Sequence, residues 1–232
     1  MKLKQGYLSD FVSLLFPQLC PACGESLVAG EQIICTDCRY TLPFTNFHLQ
    51  PENIVARQFW GRLKLQGAYA LYYFTKEGKV QSLVHHLKYK GMPQIGNLLG
   101  NMAGNQLVKS AVFNSVDIII PVPLHTNRLK ERGYNQSTCF AQGLAQKLRA
   151  IVDDDSLVRV KVTETQTRKK RYSRFENMQE VFMVKHPERL KNKHILLVDD
   201  VMTTGATLDA CGEQLLKIEG LKLSIAAIAY VD

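Results

Sequence analysis

The 232-residue chain has no uninterrupted apolar stretch of the roughly 18 residues that a bilayer-spanning helix requires, so none of its hydrophobic runs reads as a membrane span. "LSDFVSLLFPQLC", Leu8 to Cys20, resembles a secretory signal only superficially, since Asp10 interrupts the apolar run and no small-residue cleavage site follows. That segment reads as a short amphipathic helix docked on the protein body, and the cytoplasm as the location. Neither G-x-x-x-x-G-K-[ST] nor G-x-G-x-x-G occurs, which removes the P-loop and the dinucleotide-binding fingerprints. Internal repeats, low-complexity tracts and a helix-turn-helix segment are absent too, which leaves a transcription regulator weakly supported. Acidic residues are the minority, 21 against 29 lysines and arginines, and the resulting charge of +8 is unevenly placed.

The chain has ample apolar content, 46% of its residues, to bury a core. Four of its six cysteines form "CPAC" and "CTDC", a C-x2-C-x11-C-x2-C spacing through Cys20, Cys23, Cys35 and Cys38. In a reducing compartment such paired turns present two thiolates each to one tetrahedral zinc ion. A disulfide pair or a redox centre is the competing account. Cys139 and Cys211 fall in helical patterns and read as core residues, and the adjacent His85 and His86 as helix-surface residues.

"LQGAYALYYF" (Leu65 to Phe74) reads as a strand, and the two segments after it, through Val112, as helices. Before it, "YTLPFTNFHLQPEN" reads as an irregular linker. From Val116 onward strands and helices alternate, the signature of a parallel α/β sheet. Ile118 to Ile120 form a buried strand that Pro121 and Pro123 must end, since neither can donate a ladder hydrogen bond. A loop bearing Arg128, Lys130 and Arg132 follows, then a helix from about Asn135. "DSLVRVKV" and "EVFMVKH" read as strands flanking "TRKKRYSRF", where Arg168, Lys169, Lys170, Arg171 and Arg174 surround Tyr172. That basic stretch suits either a solvated loop or a contact with a single-stranded nucleic acid or a polyphosphate.

The most informative stretch is "KNKHILLVDDVMTTGAT", Lys191 to Thr207: a buried strand, two carboxylates, a hydroxyl- and glycine-bearing loop, and a helix. Ligands of parallel sheets sit at the carboxyl ends of strands, and free backbone N–H groups at a helix start seat a phosphate. Asp199 and Asp200 beside such a seat fit a phosphosugar, whose vicinal hydroxyls can donate to them. An acidic strand of receiver or ATPase type, or a merely structural capped helix, are the alternatives.

"ILLVDDVMTTGAT" resembles the phosphoribosyl pyrophosphate motif of type I phosphoribosyltransferases. "PVPLHTNRLKERGYNQ" narrows the resemblance to the ComF family, whose members join a zinc ribbon to a phosphoribosyltransferase-like domain. Thr163, Gln166, Arg174, Asn177 and Phe182 match a third family stretch, so the likeness runs from Cys20 to the C-terminus. It implies a helix and ribbon over residues 1–45 and a type I phosphoribosyltransferase-like domain over 46–232, with a hood and leading helices to 115 and the core from 116. It implies phosphoribosyl pyrophosphate on Asp199, Asp200, Thr203, Thr204, Gly205, Ala206 and Thr207, with pyrophosphate on Arg128 and Arg132. Structural zinc, magnesium accompanying the ligand, single-stranded DNA and other DNA-uptake proteins are the implied cofactors and partners. Two functions follow from it: a ligand-binding protein in competence and DNA processing, or an active phosphoribosyltransferase acting on a nucleobase or amine, for which no acceptor pocket or general base stands out.

Overall fold

The computed structural model describes residues 16–161 and 180–231. In chain order these form α1 (Thr36–Thr41), α2 (Ile54–Gln58), β1 (Leu65–Phe74), α3 (Lys79–Tyr89), α4 (Pro93–Leu107), β2 (Ile118–Pro121), α5 (Thr126–Arg132) and α6 (Gln136–Leu148). Then come β3 (Ile151–Val152), β4 (Leu157–Lys161), β5 (Glu180–Val184), α7 (Pro187–Leu190), β6 (His194–Met202), α8 (Ala206–Leu215) and β7 (Lys222–Val231). The stretches Leu8 to Leu15 and Arg168 to Arg174, with Thr163, Gln166 and Asn177, lie outside the described residues.

Five strands make one parallel sheet in the order β1-β7-β6-β2-β3, and β4 pairs antiparallel with β5 in a separate ribbon. His194 through Val198 of β6 are all buried, as an apolar run covered on both faces should be. The chain runs from β2 outward to β3 and then returns on the other side of β2 as β6. The winding therefore reverses between β2 and β6, where a parallel sheet opens a crevice at its carboxyl edge. Pro121 lies opposite Val198 at that crevice, and the N–H of Val122 still donates to the Val198 carbonyl at 2.8 Å.

Helices α4 and α6 pack backbone to backbone. A Cβ on Gly100 would lie 2.2 Å from the Phe140 carbonyl oxygen, and one on Gly143 2.2 Å from that of Asn97. Only glycine permits this approach, which draws the first turn of α6 in toward the end of β6.

Two sequence readings need correction. The segment 40–53 is irregular but is no linker: Thr45 N–H donates to Leu71 O at 3.1 Å, Tyr73 N–H to Pro43 O at 3.0 Å, and Asn53 Nδ2 to Ala68 O at 2.9 Å. It covers the outer edge of β1, whose backbone groups would otherwise stay unpaired. The loop carrying Arg128 and Arg132 is the helix α5. The His125 side chain accepts from Asn127 N–H at 3.0 Å to start it, and Gly133 ends it. None of its residues is buried, so it has no apolar periodicity to betray it.

Candidate functional site

The strand β6 does not stop at the acid pair but runs two residues beyond it, to Met202. Successive strand residues point in opposite directions, and the two carboxylates accordingly have different partners. Asp199 Oδ1 accepts from Ser137 Oγ, at the start of α6, at 3.1 Å. Asp200 accepts from Lys88 Nζ, near the end of α3, at 2.9 Å. Burial and the neighbouring Asp200 carboxylate push Asp199 up to about 7, against the N–H of Asp200, the Ser137 hydroxyl and the Lys88 charge, which pull the other way.

After Met202 the chain turns through the exposed Thr203 and Thr204 to Gly205, whose φ of +73° favours glycine. A Cβ there would also lie 2.8 Å from the ring of the fully buried Phe59. Gly205 offers no side chain to cap α8; the Ala206 N–H meets the Thr204 hydroxyl at 3.4 Å, and the Thr207 and Leu208 amides of the first turn remain available to an anion. Gly205→Ala is expected to lower stability by about 1–3 kcal/mol, measured by urea unfolding, because it combines backbone strain with a clash. An unchanged midpoint would mean that the loop is free to rearrange.

Asp199 and Asp200 share a cavity of about 150 Å³ with Pro123, Arg128, Arg132, Ser137, Arg159 and Thr207, among others. A smaller recess beside it is lined by the Val201–Leu208 loop and Asp199. The structure thus brings the acid pair, the threonine loop and both predicted arginines together. Arg128 and Arg132, four residues apart, lie on one face of α5. The Arg132 guanidinium stacks on Tyr89 at 5.1 Å and donates to Gln136 Oε1 at 2.7 Å, which fixes its plane. Its buried Nε has no hydrogen-bond partner among the described residues. With Lys88, Arg128, Arg132 and Arg159 against two carboxylates, the cavity favours a ligand carrying several negative charges.

Lys88, Ser137 and Arg159 were not singled out in the sequence. Lys88 looks like a charge complementing a helix C-terminus, and Ser137 like a helix start. Each joins the cavity only through tertiary packing. The "RGYNQS" stretch is legible in retrospect. Gly133 ends α5, Tyr134 donates to the Leu87 carbonyl, Asn135 ties α6 to the Val122 carbonyl at 3.0 Å, Gln136 orients Arg132, and Ser137 holds Asp199.

The four ribbon cysteines come together at a second site. Their sulfurs all lie within 4.8 Å of one another, no disulfide links them, and Cys23 and Cys35 are 3.7 Å apart. Zinc–sulfur bonds of about 2.3 Å in a tetrahedron place sulfurs about 3.8 Å apart, so the set fits zinc. Backbone N–H groups point at the sulfurs, that of Cys35 at Cys20 (3.3 Å) and that of Cys38 at Cys35 (3.4 Å). Burial raises the Cys20 thiol, but N–H groups of Cys35, Cys23 and Ala22 bring it down to about 7. The ribbon is latched to α3: Ser82 Oγ donates to the Pro21 carbonyl at 2.6 Å, and Lys79 pairs with Asp37 at 3.1 Å. The same helix therefore touches the ribbon at one end and Asp200 at the other.

Comparison with known proteins agrees with this division. The Double zinc ribbon domain family matches residues 11–49, and the Phosphoribosyl transferase domain family matches residues 135–232. The DNA utilization protein YhgH of Escherichia coli K12 is 28% identical over 88% of this chain and 93% of its own length. Competence protein F of Haemophilus influenzae is 32% identical over 49% of this chain and 50% of its own length. Competence protein ComFC of Bacillus subtilis is 23% identical over 88% of this chain and 86% of its own. An adenine phosphoribosyltransferase structure from Leishmania tarentolae aligns with 82% of this chain and 94% of its own at 11% identity, with a TM-score of 0.38. Among the described residues, no helix is long and apolar enough to cross a membrane.

Proposed function

We propose, from the premise that the chain belongs to the ComF family, that it binds phosphoribosyl pyrophosphate with magnesium at the β2–β6 crevice and serves DNA uptake and processing, with single-stranded DNA contact. The observation that carries the ligand is the shared cavity, where two carboxylates, the first turn of α8 at Thr207 and four cations converge. Asp199 and Asp200 accept hydrogen bonds from the ribose hydroxyls, and the Thr203–Thr207 loop takes the 5′-phosphate on its backbone amides. Arg128 and Arg132 take the pyrophosphate, with Lys88 and Arg159 beside them. Magnesium bound with the ligand neutralises pyrophosphate charge, and the chain contributes few ligands of its own to it. The DNA role draws on the names of the relatives and on the basic stretch Arg168 to Arg174. Serine at Arg168, Lys169, Lys170 and Arg171 should flatten the salt dependence of any DNA binding, and an unchanged slope would remove that stretch as the contact.

The raised Asp199 yields a pH test. Hydroxyl donors need the ionised carboxylate, whereas this group is largely protonated below about pH 7. Affinity for phosphoribosyl pyrophosphate is therefore expected to rise by up to about tenfold per unit toward pH 7 and to level off above it. Asp199→Asn carries any dependence that belongs to the ligand's own phosphates, so the difference between the two titrations reports Asp199. Parallel profiles would remove Asp199 from the ligand contact.

The catalytic alternative gains one specific observation. A carboxylate titrating near 7 at the sugar site can take the proton that a nitrogen acceptor loses as its bond to C1 forms and pyrophosphate leaves. Pyrophosphate release during incubation with a panel of nucleobases tests it, and no release above the buffer rate would leave binding alone.

A further inference from the structure

Between α2 and β1 the chain turns through Phe59 to Lys64. Phe59 is fully buried against Gly205, but the next residue, Trp60, is 60% exposed and is the chain's single tryptophan. The Arg57 guanidinium lies 6.0 Å from the centre of its ring. Trp60 walls a cavity of about 250 Å³ whose lining includes the apolar Pro51, Ala56 and Leu63 and the first residues of β1, Leu65 to Gly67. This cavity opens where the cover on β1 runs out. The hydrogen bonds from segment 43–53 reach Ala68, Ala70, Leu71 and Tyr73, and among the described residues none reaches Leu65 to Gly67. Lys64 stands at the cavity, and no acidic residue occurs between Glu52 and Glu77.

An exposed indole, an apolar floor, an uncovered strand edge and flanking cations call for one chemistry: a flat aromatic ring with hydrogen-bonding edges, attached to negative charge. We propose that Trp60 and this cleft bind a base of single-stranded DNA, with Arg57 and Lys64 on the flanking phosphates. A duplex cannot enter, because its base faces are already covered by their stacked neighbours. The assignment rests on the single-strand part of the function proposed above and places that contact on a surface distinct from the ribbon.

The lone tryptophan makes the test direct. The zinc-loaded full chain is titrated into an end-labelled thymidine oligomer, reading label anisotropy for binding anywhere, and the unlabelled oligomer is titrated into the dilute chain, reading Trp60 emission for binding at the cleft. Emission is expected to fall with the same midpoint as the anisotropy rises. Trp60→Ala should weaken binding roughly 5- to 150-fold and Trp60→Phe much less, while Arg57→Gln and Lys64→Gln should each reduce the slope of log affinity against log salt by about 0.7. A rise in anisotropy with unchanged emission and an unaffected Trp60→Ala variant would overturn the cleft and leave DNA binding elsewhere. No anisotropy rise at low salt would end the single-strand reading and this proposal together. An emission change that follows protein concentration without DNA would show the face to be a contact between copies of the chain.

Discussion

Replacing Asp199 with asparagine is expected to make the protein more stable and the ligand weaker. In the folded state the carboxyl is raised to about 7 from an ordinary 3.8, chiefly by burial and by the charge of Asp200. A raised carboxyl binds more protons folded than unfolded, so its contribution to stability declines as pH climbs from about 4 to about 7 and stays unfavourable above that. The full linkage of such a shift is about 4 kcal/mol. The Ser137 hydroxyl and the Asp200 N–H both donate to Asp199 Oδ1, an oxygen that asparagine retains. We therefore expect a gain of about 1–2 kcal/mol at pH 8, or roughly 2–8 °C in melting temperature. Binding of phosphoribosyl pyrophosphate should weaken roughly 10- to 150-fold, the loss of a charge-assisted hydrogen bond. Both changes together would mark Asp199 as a residue at which stability is given up for ligand binding. A variant that is more stable and binds as well as the parent would separate Asp199 from the ligand. A less stable one would mean that its hydrogen bonds outweigh its burial.

Replacing Cys38 with serine is expected to release zinc and unfold the ribbon. Cys38 is wholly buried, and a serine hydroxyl cannot stand in for a thiolate. The apparent free energy of structural zinc in small modules is about 10–16 kcal/mol, and a segment as short as residues 20–42 has little else to hold it. Loss of the ribbon removes the Ser82–Pro21 hydrogen bond and the Lys79–Asp37 ion pair from the first turn of α3. It also uncovers apolar residues of the common core with which Ile34 and Leu42 pack. Bound zinc should fall from one ion per chain to none, with new protease cleavage within the ribbon and a lower melting temperature. Zinc retained at one equivalent, or a ribbon that resists protease after chelation, would contradict the assignment and return attention to cysteine redox chemistry.

The parts of this molecule that the sequence made legible are those whose residues carry their own signal. The runs Leu65 to Phe74 and His194 to Val198 each became a strand of the sheet, buried without a break from Gly67 to Tyr72 and from His194 to Val198. The paired cysteine turns and the acid pair were readable because their chemistry depends on spacing along the chain. Cys139 and Cys211 are buried, as their helical pattern indicated. Helix α5 was missed because an exposed helix buries nothing and is marked only by its caps, His125 and Gly133. The cover over β1 was missed because its order is borrowed from the edge strand it pairs with. Lys88 reaches Asp200 across 112 positions of chain, a distance over which no local pattern can speak. The same holds for Ser137 and Asp199, brought together by the close passage of α6 along α4 at Gly100 and Gly143.

A consequence of that passage is that the crevice is built from three directions. The sheet supplies Asp199 and Asp200, α5 supplies Arg128 and Arg132, and α3 supplies Lys88. Because α3 also carries the ribbon, loss of zinc should be felt at Asp200 through Lys88.

The central claim is that this crevice holds a phosphosugar pyrophosphate, and calorimetric titration of the zinc-loaded protein with phosphoribosyl pyrophosphate and magnesium tests it most directly. The account predicts one site per chain with a dissociation constant in the micromolar range, about −8 kcal/mol, that weakens sharply when Asp199 and Asp200 are both asparagine. Heats that do not exceed ligand dilution, or binding that the double variant leaves unchanged, would contradict it.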